Sequence, residues 1–368
     1  MITYVGLEKD IVLPSFEKRN YVLGQRCLSD TNVNKVVIPE GCTEIGDFVF
    51  YGASSLISIT IPSTVRLISD SAFNCNRLFE VYNLSPVKIV YGTGAGRVAK
   101  HIYNSLEEES LVYFDGEYVF YKGELPQLVD LPLERHLWLP ETCDNQEYAL
   151  FDGLFSGKDI VSLVLSDNIV YIGADALPTV RLQNEVSEDN VTYLPSYNNS
   201  CFVVTSGDLS TTQVAIKDGV RFIGQNAFYK AKLENLILPE GLLGICYRAF
   251  DYCNALKSVE LPSTLRYVGE TAFRYCQFET VKISSVEAWA AIDFYNYDAN
   301  PLIATRQSNS GTCTLYINNT PVNSNTEISI GGIKKIGCNT FRSLSLNKAI
   351  IEEGVEEIGA GAFQNVRL

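Results

Sequence analysis

The chain has 368 residues, 46% of them hydrophobic, and carries 43 acidic against 29 basic residues for a formal charge of −14. That charge opposes phosphate backbones and argues against a nucleic-acid partner. No apolar run is long enough to span a bilayer, and the opening MITYVGLEKD has neither the basic nor the apolar region of a secretory signal.

From Tyr4 to Pro39 the chain reads as an opening module, with a strand-like IVLP at Ile11–Pro14 and a worn repeat element, VLGQRCL, at Val22–Leu28. Two clean repeats follow, whose strands are KVVIP (Lys35–Pro39) and ISITIP (Ile57–Pro62). Over residues 84–146 the pattern lapses; two alternating Tyr/Phe/Val runs around Asp115-Gly116 predict a hairpin there. The repeat resumes near Tyr148. Residues 182–213 form a second irregular module, read as two strands joined at Asn198-Asn199. A third, 284–329, opens with SSVEAWAAIDF, a predicted short helix, and continues through TLYINNTPV, a predicted hairpin. The ending GAFQNVRL stops inside a repeat, as a truncated end would.

The clearest repeats run from Leu233 to Ile283. Leu236, Leu238 and Pro239 are followed by Leu242, Ile245 and Ala249-Phe250; the next copy has Val259, Leu261, Pro262, Leu265, Val268, Gly269 and Ala272-Phe273. Aligned on the small residue before the Ala-Phe pair, copies fall at Gly24, Gly46, Ser69, Phe151, Gly173, Gly224, Cys246, Gly269, Gly337 and Gly359, and adjoining copies are 22 or 23 residues apart. A fixed period with apolar residues at constant phase marks a solenoid, in which each coil buries its apolar face only against its neighbours. Period-two alternation makes the first segment a half-buried strand. Proline ends it because it cannot donate to the ladder. The Ile-Gly element is expected to turn the chain, and Ala-Phe to fill the interior, small beside large. The predicted fold is a β-rich α/β solenoid with a parallel β-sheet and inserted hairpin and helix modules, continuous over residues 1–368. The ten cysteines lack a CxxC pair that would favour zinc. Several occupy repeat columns, among them Cys75, Cys246, Cys253 and Cys276, and read as small buried hydrophobes with free thiols.

SLISITIPSTVRLISDSAFNCNRL and ALKSVELPSTLRYVGETAFRYCQF closely match the pattern LxxhxhPxxhxxIGxxAFxxCxxL, which resembles the BspA-type (Treponema-type) leucine-rich repeat. The irregular stretches are similar to modules of such proteins from gut Firmicutes, so the resemblance covers nearly the whole chain. It implies a right-handed leucine-rich-repeat (LRR) solenoid and a secreted or cell-surface bacterial protein used for adhesion or for binding host or bacterial surface proteins, without catalytic residues and without a cofactor.

Enzyme signals are sparse. His101 and His136 sit in no recognisable catalytic motif, and a nucleophile triad needs three converging groups. Gly92–Arg97 (GTGAGR) lacks the ending and spacing of a phosphate loop and reads as a surface turn. The acidic runs Glu107–Glu109 and Glu352-Glu353 read as solvated faces. The remaining candidate is the sheet face itself. Its outward positions are Lys35 and Val37, Ser58 and Thr60, Ser162 and Val164, Asn235 and Ile237, Ser258 and Glu260, Thr280 and Lys282, and Lys348 and Ile350. In register along stacked coils they would make a broad, rigid surface for a protein partner; the same residue types also suit plain strand-surface positions. A second reading takes the aromatics Trp289, Tyr295 and Tyr297 as a glycan platform, against the alternative that Trp289 packs the inserted helix. The chain is expected to act as a monomer, with no metal.

Overall fold

Short alternating segments separated by proline and glycine cannot bury an apolar face alone, and here they do so by stacking. The computed structural model describes residues 8–16, 19–75, 78–90, 99, 101–132, 134–197, 201–304 and 313–367. The chain divides into two compact units, Met1–Phe114 with Tyr121–Gly123, and Asp115–Phe120 with Glu124–Leu368.

In the first unit the strands Asp10–Val12, Lys35–Val37, Ser58–Ile61, Glu80–Asn83 and His101–Tyr103 lie side by side in chain order, all parallel. The register joins Ile11, Val36, Ile59, Val81 and Ile102 in one row. Ile11, Val36, Ile59 and Val81 are buried, and the polar residues alternate to the other face. The second unit repeats the arrangement. Gln213–Ala215 pairs with Asn235–Ile237, and Ser258–Glu260 with Thr280–Ile283 and then Thr314–Ile317, again in parallel.

The Ile-Gly element is a strand and not, as the sequence led us to expect, the turn. Tyr21–Leu23, Cys42–Ile45 and Leu67–Ile68 form a second parallel sheet in the first unit. In the second unit Cys201–Gly207, Phe222–Ile223, Gly244–Ile245, Tyr267–Val268 and Asp293–Phe294 do the same. In three successive coils of the second unit this strand is only two residues long, and both residues are buried, at Phe222–Ile223, Gly244–Ile245 and Tyr267–Val268.

The turn comes after it, and its backbone alternates in hand. Arg248 and Tyr252 have φ of 53° and 64°, Thr271 and Tyr275 of 54° and 62°, Asn226 and Lys230 of 55° and 64°. This is the left-handed region that L-residues enter at a cost. The return is that alternate peptide N–H groups point along the stack. Arg248, Phe250 and Tyr252 donate to the carbonyls of Glu270, Ala272 and Arg274 in the next coil, at 3.1, 2.8 and 2.9 Å. The intervening Ala249, Asp251 and Cys253 donate back to Cys246, Arg248 and Phe250 at 3.3, 3.2 and 3.1 Å. Phe48, Phe50 and Gly52 repeat the pattern in the first unit, donating to Ser71, Ala72 and Asn74. Every turn amide named here therefore has a backbone partner, including those of the buried Ala249, Phe250, Asp251 and Cys253.

Inside that wall the phenylalanines stack. Phe228 to Phe250 and Phe250 to Phe273 have ring centroids 5.3 and 5.6 Å apart and planes within 3° and 9°. Phe50 and Phe73 stack at 5.5 Å, Phe341 and Phe363 at 5.2 Å. The alanine before each ring is buried in both units, at Ala72, Ala249 and Ala272. Cys253 and Cys276 are fully buried behind the rings, each sulfur donating to a carbonyl of the preceding coil, Phe228 at 3.1 Å and Phe250 at 3.2 Å.

The irregular modules take the forms expected of them. Val112–Asp115 and Tyr118–Tyr121 flank the Asp115-Gly116 turn. Val191–Pro195 pairs antiparallel with Cys201–Gly207; the Asn198-Asn199 joint lies outside the described residues. Val286–Ala290 is a helix capped by Ser285, and Thr314–Ile317 pairs antiparallel with Thr320–Pro321. The lapse after Leu84 is partial, since His101–Tyr103 continues the first sheet in register with Glu80–Asn83.

Two outcomes follow for stability. Phe250→Ala, at the centre of a three-ring stack, should lower the unfolding free energy by about 3–5 kcal/mol in a urea melt of the second unit's transition. Thr271→Asn should raise it by about 0.5–1 kcal/mol, because Thr271 holds φ at 54° with a buried hydroxyl that has no partner, whereas asparagine tolerates that backbone.

Candidate binding face

The outward side chains of the first-sheet strands alternate with the buried ones and do not pack into the core between coils. In the first unit Lys35 faces Ser58, and Val37 faces Thr60. Val37 is exposed, and the Lys35 ammonium lies 4.6 Å from the Phe114 ring centroid. Ser58 departs from expectation because it is buried. It pairs with Glu80, whose fully buried carboxylate accepts from the Leu111 N–H at 2.8 Å, from Ser110 at 3.1 and 3.2 Å and from Tyr103 at 3.3 Å. The chain at Ser110–Leu111 thus roofs this part of the face.

In the second unit six of the expected residues meet. Asn235, Ile237, Ser258, Glu260, Thr280 and Lys282 line one open groove of about 790 Å³. Asn235, Ser258 and Glu260 are exposed, and Ile237 keeps 65% of its surface in water. Glu260 pairs in register with Lys282, and Ser258 with Thr280. The groove sets the exposed Ile237 among polar residues, with Glu240 and Glu260 as its acidic groups and Lys282 as its basic one. The other expected residues lie apart from it. Ser162 and Val164 are half-buried on a two-stranded sheet opposite His136 and Trp138, while Lys348 and Ile350 are exposed opposite Glu327 and Ser329.

The glycan reading of Trp289 fails on burial. Trp289 is fully buried, its indole N–H donates to the Thr340 carbonyl at 3.1 Å, and its ring lies 5.3 Å from Phe294. It packs the inserted helix, as the alternative had it. Tyr295 and Tyr297 are exposed, with the Arg342 guanidinium 5.6 Å from the Tyr297 ring.

A feature the sequence did not reveal runs along the turn face. Asp251 is fully buried and pairs with Arg248 at 2.9 Å and with Arg274 of the next coil at 2.7 Å. Those guanidiniums lie 4.3 Å from Tyr229 and 5.4 Å from Tyr275. The hydrogen bonds and charge of Asp251 raise the pKa of both arginines, and the Arg274 contact ties one coil to the next. No spacing signal marks it, because its members fall in variable columns of different coils.

Nucleophile chemistry finds no support among the described residues. Burial pushes the Cys75 and Cys246 thiols up to about 12, far from a reactive thiolate. His101 stacks beside Tyr103 and Tyr121, and His136 Nδ1 lies 2.8 Å from Ser162 Oγ. Glu107–Glu109 and Glu352-Glu353 are exposed. Among the described residues no group of histidine, cysteine and carboxylate side chains could hold a metal ion, and no helix is long and apolar enough to cross a membrane. Gly92–Arg97 lies outside the described residues.

A family model, BspA type Leucine rich repeat region, matches residues 9–92, 202–300 and 318–368. The chain belongs to this family. Solved structures of similar fold include a leucine-rich repeat protein from Eubacterium ventriosum, 14% identical over 97% of this chain and 88% of that one, with a TM-score of 0.33. A leucine rich cell surface protein from Faecalibacterium prausnitzii is 17% identical over 95% and 89%, with a TM-score of 0.27. The pneumococcal vaccine antigen PcpA is 14% identical over 92% and 68%, with a TM-score of 0.23. No curated protein matches the sequence.

Buried phenols give this BspA-type chain a definite alkaline limit. Burial, with the charges of neighbouring groups, pushes Tyr118 and Tyr171 up to about 12 from 10.0. The unfolded chain therefore releases these protons first. Their contribution is whole below pH 10 and is lost as pH rises through about 12. Because the buried Cys75 and Cys246 thiols are raised in the same sense from 9.0, urea midpoints should hold steady from about pH 6 to 7.5, begin to fall as pH approaches 9, and fall more steeply above about pH 10.

Proposed function

We propose that this protein is a non-enzymatic bacterial surface or secreted binding protein that engages a protein partner through the outward face of its first-sheet strands in the second unit. The observation that carries the reading is Ile237, an isoleucine 65% exposed at the end of a strand whose central residue, Leu236, is buried. A large apolar side chain held in water on a rigid sheet costs solubility, and a partner that covers it repays about 2 kcal/mol. Around it Asn235, Ser258 and Thr280 offer hydrogen bonds, and Glu260 and Lys282 offer one charge of each sign. An apolar centre with a polar rim is the usual anatomy of a protein interface. Family membership supports the setting, since it implies export and adhesion. The acidic balance, −14 overall, disfavours nucleic acid as the target.

The test is solid-phase binding of the purified chain to immobilised mucin, collagen, fibronectin and laminin. Binding to at least one, weakened at least tenfold by Ile237→Asp and unchanged by Ile358→Asp, is the expected result. Ile358 is likewise exposed, at 51%, and lies outside the groove. Binding that tolerates Ile237→Asp, or that is absent for every ligand, removes the reading.

A further inference from the structure

The chain has two tryptophans, and with Trp289 buried the other, Trp138, is 60% exposed. We propose that Trp138 is the stacking platform of a binding site for uncharged hexopyranose sugars, with His136 and Ser162 supplying the polar contacts. The site lies in the second unit and goes beyond the protein-binding face, from which Trp138 is separate.

Three observations carry it. The first is placement. His136 and Trp138 are two residues apart on the strand His136–Trp138, so both side chains leave the same face. The neighbouring strand sets Ser162 against His136 and Val164 against Trp138. The result is a flat strip with an aromatic half and a polar half. His136 Nδ1 and Ser162 Oγ are 2.8 Å apart, which fixes the imidazole and leaves its other nitrogen free to meet a ligand hydroxyl. A pyranose has the matching anatomy: a face of C–H groups that packs on an aromatic ring and a rim of hydroxyls that donate and accept.

The second is rigidity. Four successive carbonyls beginning at Trp138 are each held by a side chain. Tyr118 donates to Trp138 O at 2.7 Å, Tyr197 to Leu139 O, and Tyr148 to Pro140 O at 2.7 Å. Ser166 and Asn168 donate to Glu141 O at 2.6 and 3.1 Å. The Leu139 N–H donates to Val164 O at 3.0 Å. The Tyr197 ring also abuts the indole, with centroids 5.6 Å apart at 53°. An indole left in water on so firmly held a backbone is preorganised, and little ordering remains to be done when a ligand arrives.

The third is charge. Glu134 and Glu141 are exposed on either side of the strand, and Arg135 is occupied by Asp159 at 3.1 Å. An acidic fringe on a chain of charge −14 repels sialylated, sulfated and uronic-acid sugars. Uncharged hexoses and N-acetylhexosamines remain.

The experiment is a titration of the whole chain with maltotriose, cellotriose and chitotriose, read by tryptophan fluorescence and by calorimetry. 3′-Sialyllactose, tetramethylammonium chloride and a lysine-rich peptide serve as comparisons. Buried Trp289 gives a constant background, so a change in emission reports on Trp138. The expected result is a saturable change with at least one neutral trisaccharide and none with sialyllactose. Calorimetry should then show at least a tenfold loss in Trp138→Ala, partial recovery in Trp138→Tyr, and a severalfold loss in Ser162→Ala. Ile237→Asp should leave sugar binding intact, which separates failure of this site from failure of the protein-binding face. The proposal is overturned if no neutral trisaccharide binds, if Trp138→Ala binds as well as the parent, or if only the ammonium salt or the basic peptide elicits the response.

Discussion

Everything in this molecule depends on the alternation of hand in the turn that follows each Ile-Gly strand. A right-handed turn would direct successive amides around the coil and leave the strand ladders as the only backbone bonds between the coils named here. With left-handed residues at two fixed positions, as at Arg248 and Tyr252, every second N–H points at the next coil, while the others close the turn on itself. The backbone strain is local and is offset by hydrogen bonds between coils, some of them, as at Phe250 and Ala272, fully buried. The same geometry sets the spacing at which Phe228, Phe250 and Phe273 stack with nearly parallel planes. Backbone ladder and ring file are two results of one turn.

That frame separates structure from recognition. Inward residues answer to the neighbouring coil, and their identities are narrow: Leu, Ile, Val, Phe, Ala and Cys. Outward residues answer to nothing inside the fold. Ile237 and Trp138, both large and both in water, share the outward face with exposed valines and isoleucines such as Val12, Val37 and Ile350 and with Asn, Ser, Thr and charged residues. They lie on different groups of paired strands, so one chain can present two chemically distinct surfaces from one kind of scaffold.

The repeat frame was legible in the sequence because it rests on buried periodicity. Leu236, Leu238 and Phe250 declare it without reference to any other part of the chain, and the hairpin at Asp115-Gly116 and the helix opened by Ser285 are equally local signals. The second strand was missed because two residues carry no period. The left-handed positions were missed because only some are glycine or asparagine; Arg248 and Thr271 take that backbone with no sign in their own chemistry. Ser58 looked outward by alternation, yet Ser110 and Leu111, a coil or more away, cover its neighbour Glu80. Trp289 looked available because its aromatic neighbours are close in sequence, whereas Thr340, its hydrogen-bond partner, is 51 residues distant. Exposure is a long-range property, and local pattern cannot supply it. For the same reason the exposed tryptophan, in a stretch where the repeat is weak, drew no notice.

Residue-resolved hydrogen exchange tests the central claim most directly. The stacked-turn account predicts that the amides of Arg248, Phe250 and Tyr252 exchange slowly and together, with protection rising and falling in step with the Gly244–Ile245 and Tyr267–Val268 strands when denaturant is added. Fast, independent exchange at those three amides, while the strands beside them stay protected, would contradict it.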